Sequence, residues 1–169
     1  MEIKLLEGPM GLDSALMGLG LNFFLTSGYE RWVDVPAEEQ ERIKKVACRL
    51  APKGGSEAKW TRAVYYTWSI RAPRFWWQEM DTYRVGTDRL SSESTMHIQG
   101  KGLTEEELVK MKEELTEGTM QKRVQVFSYQ ALRRIYFQRR NHRLPHWKEF
   151  CKWIETLPFA AELITIEKD

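Results

Sequence analysis

The sequence predicts an α/β chain of the α+β kind: a small mixed or antiparallel sheet with several helices, one of them long and central. Three patterns predict it. Residues 60–70 alternate, with Val64, Tyr66, Trp68 and Ile70 facing one way and Ala63, Tyr65, Thr67 and Ser69 the other, the period of a half-buried strand. Residues 36–50 place Ile43, Val46, Ala47 and Leu50 on one helical stripe. Residues 120–140 carry Val124, Phe127, Ala131, Leu132 and Ile135 within one arc of a helical wheel, which reads as the long helix.

The remaining elements follow in chain order. Residues 1–6 read as a first strand, stopped by Gly8-Pro9. Residues 12–24 are rich in Leu, Met and Ala and read as a buried helix, weakened by Gly18 and Gly20. Pro36 suits the first position of the 36–50 helix, with acidic residues in its first turn and Lys44, Lys45 and Arg49 late. Pro73 can open a helix to about residue 81, and Gly86 breaks the chain before a Ser-rich segment of mixed signal. Thr104 and Glu107 form a capping box for a solvent-facing helix to about residue 115. Pro145 starts a last helix to about residue 156, and 159–166 reads as a helical turn or an edge strand.

At 169 residues one domain, 1–169, is expected, with a composition suited to a soluble globular protein. A formal charge of +2 gives no bulk argument for nucleic-acid binding. Cys48 and Cys151 have no metal or redox spacing and read as reduced thiols of a cytoplasmic protein. No cationic-apolar leader opens the chain, and no apolar run approaches a membrane span.

Residues 70–97 hold the densest chemistry. Aromatic side chains, among them Trp76 and Trp77, are interleaved with Arg71, Arg74, Gln78, Arg84 and Arg89. Guanidinium groups grip phosphates bidentately, an amide reads a pyrimidine edge, and an indole offers a stacking surface. Arg139 falls on the apolar arc of the late helix, where a lone charge is costly. It therefore needs either a structural partner, Glu79 or Glu93, or a bound anion. His142 and His146 straddle Pro145 with no third ligand nearby, so no metal site is expected. The serines at 91, 92 and 94 suit hydrogen bonding more than attack on a carbonyl, and no G-x-S-x-G motif occurs.

In this order the features resemble the flavin-dependent thymidylate synthases, the ThyX-type enzymes. MEIKLLEGP and the following Ala/Leu helix resemble that family's opening strand and helix. Residues 55–60 resemble its GHxSxxEH turn. Residues 68–78 resemble its segment ending SR-A-x-x-x-Q, with Arg74 and Gln78 at the Arg and Gln. Residues 84–94 resemble its RHRxxSxNExSxRY signature, with Ser91, Glu93 and Ser94 or Thr95 in the SxNExS part. Residues 128–139 resemble its NxRxLxxxxxxR helix, with Arg139 last. The stretch PRFWWQEMDTYR with SSESTMH also resembles small phage or prophage proteins, which implies a setting and no activity.

The resemblance implies a homotetramer binding a pyrimidine deoxynucleotide (dUMP-like) and FAD at subunit interfaces. It implies methylation of the nucleotide by methylenetetrahydrofolate, with reduced flavin as hydride carrier. Arg74, Gln78, Glu93, Ser94 and Arg139 would bind the nucleotide, and Arg84 and Ser91 the cofactor. The departures fall mainly on the flavin side: Val85-Gly86 follows Arg84 where the family has His-Arg, and Ser128 and Gln130 replace the Asn and Arg of the late helix. A non-catalytic nucleotide- or partner-binding regulator of the same fold is the alternative, with single-stranded nucleic-acid binding ranked below it.

Overall fold

The computed structural model describes residues 1–167. Four strands form one antiparallel sheet in the order β1-β2-β4-β3: β1 (Glu2–Met10), β2 (Tyr65–Pro73), β4 (Met120–Ser128) and β3 (Thr87–Ser92). The helices are α1 (Leu12–Leu21), α2 (Ala37–Leu50), α3 (Arg74–Met80), the short α4 (Thr95–Ile98), α5 (Glu105–Glu113), α6 (Tyr129–Arg139) and α7 (Pro145–Glu155).

The alternation read in β2 organises the core. Val64, Tyr66, Trp68 and Ile70 are fully buried, and Phe127 of β4 joins them on the same sheet face. Trp76 and Trp77 of α3 and Trp147 and Phe150 of α7 pack against this face. Ring centroids lie 5.3 Å apart for Trp68–Phe150 and 4.9 Å for Trp76–Trp147. The opposite sheet face stays open: Tyr65 is exposed, and Thr67, Ser69, Arg71, Val124 and Val126 are only half-buried. β3 is exposed along nearly its whole length.

The long central helix of residues 120–140 is a strand followed by a helix. Residues 120–128 pair with β2 on one side and β3 on the other, so a two-sided ladder satisfies their backbone groups. The helical wheel placed Val124 and Phe127 together, but on a strand they face opposite ways, Phe127 into the core and Val124 onto the open face. Ser128 ends the strand and its hydroxyl accepts from Ala131 N at 3.2 Å, capping α6.

Other boundaries shift for local reasons. β1 runs past Gly8-Pro9 to Met10, absorbing register shifts after Leu5 and after Glu7. Residues 59–63 form a 3₁₀ turn ahead of β2, Pro73 caps α3 from outside, and α1 ends at Leu21. The Thr104–Glu107 capping box is formed on both sides of its exchange. The apolar tail is a π-helical turn, Ala160–Ile164. No helix among the described residues is long and apolar enough to cross a membrane.

Candidate functional site

α3 sets the geometry. Its first amides donate outward, Arg74 N to Thr119 O and Phe75 N to Glu117 O, each at 3.0 Å, which joins the helix start to the turn before β4. Trp76, Trp77 and Met80 then turn inward, while Arg74 and Gln78, one turn apart, share another face. Gln78 is exposed and Arg74 half-buried, and among the described residues neither side chain has a hydrogen-bond or ion-pair partner. Trp76 and Trp77, offered by the sequence as stacking surfaces, are fully buried core residues.

Arg139 takes the structural alternative that the sequence left open. Its Nη1 donates to Glu79 Oε2 at 2.8 Å and its Nε to the Tyr83 hydroxyl at 2.7 Å. The same carboxylate oxygen accepts from Trp147 Nε1 at 2.8 Å, with His142 Nε2 3.7 Å away. The Arg139 guanidinium also lies 4.6 Å from the Trp147 ring centre. Glu79 thus joins α3 to both α6 and α7. Arg139 Nη2 has no partner among the described residues.

Glu93, just past β3, is also engaged. Its Oε1 lies 3.2 Å from Arg71 Nη1, and its Oε2 accepts from Lys122 N at 2.9 Å. Ser94 stands at the N-cap of α4 with no cap bond from its hydroxyl. Arg71 belongs to the open sheet face, whereas Arg139 lies among the helices that cover the other face. Arg74 and Gln78 thus sit on α3 and Glu93 and Ser94 at the end of β3, while Arg139 is paired with Glu79 and Glu93 with Arg71.

Arg84 is exposed in the turn between α3 and β3, and Ser91 is exposed on β3. The Arg84 turn is tethered by Arg134 Nη2, which donates to Val85 O at 3.0 Å, and by Ser128 N, which donates to Gly86 O at 2.8 Å. Beside it a cleft of about 530 Å³ runs along α6, lined by Gln130, Arg134, Phe137 and Arg140 among others. Arg133 and Arg140 lie 4.7 and 4.8 Å from the Phe137 ring centre.

Reading residues 120–140 as a helix missed Arg123. It is buried on β4, with Nη1 donating to Asp81 Oδ1 at 2.7 Å, Nε to Gln121 Oε1 at 3.0 Å, and its guanidinium 4.4 Å from the Trp77 ring centre. A period-two reading of KRVQVF would have found it, because it places Arg123 on the face of Phe127. His142 and His146 diverge: His142 Nδ1 accepts from Leu144 N at 3.2 Å, while His146 sits edge-on to Phe75.

No protein-family model and no curated protein matches this chain. Solved structures do match. ThyX from Helicobacter pylori, complexed with FAD and dUMP, superimposes with a TM-score of 0.69 at 13% identity, covering 98% of both chains. A second structure of that enzyme with FAD and dUMP gives 0.67 at 14% identity, again over 98% of both chains. The UMP/dUMP methylase PolB from Streptomyces cacaoi, bound with 5-Br dUMP, gives 0.59 at 13% identity over 96% of this chain and 90% of PolB. The fold of this chain is that of the flavin-dependent thymidylate synthases, over 98% of its length.

Proposed function

We propose that this chain binds a pyrimidine deoxynucleotide of the dUMP class. Arg74, Gln78, Glu93, Ser94 and Arg139 would hold it, with FAD as cofactor near Arg84 and Ser91. The observation that carries this reading is the pair Arg74 and Gln78. A guanidinium and an amide on one face of α3, with no internal partner among the described residues, offer an anion fork beside a base-reading group. They do so in a fold shared with proteins that bind dUMP and FAD.

Arg84 and Ser91 fit an anionic cofactor in one respect. Both are exposed, and neither side chain has a hydrogen-bond or ion-pair partner among the described residues. Bound reduced flavin would supply a hydride for methylation by methylenetetrahydrofolate, chemistry that needs no nucleophile from the protein. The separation of Glu93 from Arg139, and the bare β3, favour a homo-oligomer, tetrameric by resemblance, in which a second copy completes the site. A cytoplasmic setting belongs to the same reading.

A second reading is a non-catalytic nucleotide-binding regulator. It is favoured by the internal partners already held by Glu93 and Arg139, and by Val85-Gly86 after Arg84. Absorbance spectra and thermal unfolding with added FAD and dUMP separate the two. Bound flavin together with stabilisation by dUMP is the expected result. Stabilisation by dUMP in a protein that does not take up FAD selects the regulator. No response to dUMP overturns both.

A further inference from the structure

A second cavity, of about 400 Å³, opens between α1, α2 and the turn at 159–163. None of its lining belongs to the nucleotide face. Its walls are apolar and aromatic, chiefly Leu12, Leu16, Trp32, Trp60 and Leu163, and its size lies within the range of small-molecule sites. Asp13 and Glu162 stand on its rim, both exposed, and among the described residues neither carboxylate has a hydrogen-bond or ion-pair partner. The one cation in the lining, Lys44, has its Nζ 2.7 Å from Glu41 Oε1, in an exposed pair on α2. The cavity thus combines two carboxylates without internal partners and two tryptophans in one lining, and indole rings attract cations as well. Phe159, held at a positive φ of 59°, and the π-helical turn after it form the remaining wall.

We propose that this cavity binds an organic ammonium ion with a flat apolar body, the ring lying between the tryptophans and the ammonium group facing Asp13 and Glu162. A carboxylate ligand is disfavoured by the same two charges, and a neutral ligand gains only the apolar contact.

Cys48 lines the cavity and gives a direct readout, while Cys151 is buried in the core and serves as an internal reference. The experiment compares tryptamine with neutral tryptophol and anionic indole-3-propionate. It measures the rate of Cys48 alkylation by iodoacetamide with and without each compound, together with calorimetric titration of each. Tryptamine is expected to slow alkylation saturably and to bind in calorimetry, tryptophol weakly, and indole-3-propionate not at all. Asp13→Asn and Glu162→Gln should each weaken tryptamine binding about threefold, as expected for exposed ion pairs, without altering thermal unfolding. Rates are compared as ratios within each variant, because burial, and after it the Glu162 charge, hold the Cys48 thiol above its ordinary pKa. Equal binding of all three compounds, no binding of tryptamine, or tryptamine binding unmoved by both substitutions overturns the proposal.

Discussion

Glu79 Oε2 lies 2.8 Å from Arg139 Nη1 and 2.8 Å from Trp147 Nε1, so one carboxylate oxygen holds three helices together. Glu79→Ala leaves a part-buried guanidinium and an indole N–H without their acceptor. It should destabilise the chain by about 2 kcal/mol in urea unfolding. Arg139→Gln made in the Glu79→Ala background should cost less than it does alone, the signature of a coupled pair in a double-mutant cycle.

Arg123 and Asp81 form a pair of unequal burial, with side chains 9% and 45% exposed. That inequality decides which substitution is worse. Asp81→Ala strands a buried guanidinium and should cost about 2 kcal/mol. Arg123→Met leaves an aspartate that water can reach and keeps the packing on Trp77, so it should cost below about 1 kcal/mol. Denaturant midpoints of the two variants check the order.

Stability should fall at alkaline pH. Burial raises the Cys151 thiol from 9.0 to about 12, and burial, chiefly, raises the Tyr66 and Tyr129 phenols above their ordinary value. Groups raised on folding keep their proton in the folded chain after the unfolded chain has lost it. The Cys151 contribution is complete below pH 9 and is lost as pH rises from there toward about 12, and the two phenols add to the loss above their ordinary value of 10.0. Urea midpoints measured from neutral pH upward should fall, and Cys151→Ala should shallow the slope.

Gly86 has a φ of +78°, and a Cβ placed there would lie 2.4 Å from Ser128 Oγ and 3.2 Å from Ala131 Cβ. Gly86→Ala therefore combines a strained backbone with a clash against the cap of α6. It should lower stability by about 2 kcal/mol, where the same exchange in open space at negative φ would stabilise. Thermal unfolding reads the loss.

Arg74→Met and Gln78→Leu alter side chains that hold nothing internally, so each should leave thermal unfolding of the free chain nearly unchanged. On the nucleotide reading each should weaken dUMP binding by about tenfold, the scale of a charge-assisted hydrogen bond. Calorimetry checks it, and unchanged affinity in both variants would remove these two residues from the site.

Much of the fold was legible from local pattern. The alternation of Val64 to Ile70, the stripe of α2 and the Thr104–Glu107 box each depend on neighbours a few residues away, and each is present in the structure. Residues 120–128 carry both a helical arc and a period-two alternation, and the ladders of β2 and β3, partners far away in sequence, decide for the strand. Trp76 and Trp77 looked available for stacking because composition cannot show which aromatics the core will claim.

By itself the sequence determined the alternation of β2, the stripe of α2, the Thr104–Glu107 cap and the requirement that Arg139 meet a negative partner, since a charge on an apolar stripe is costly wherever the chain goes. The tertiary structure alone decided that the partner is Glu79, that Glu93 belongs to Arg71, and that these two ion pairs lie on opposite faces of the sheet. Partner choice among like charges depends on which side chains the packed sheet and helices bring within hydrogen-bond reach, and sequence spacing does not encode that distance.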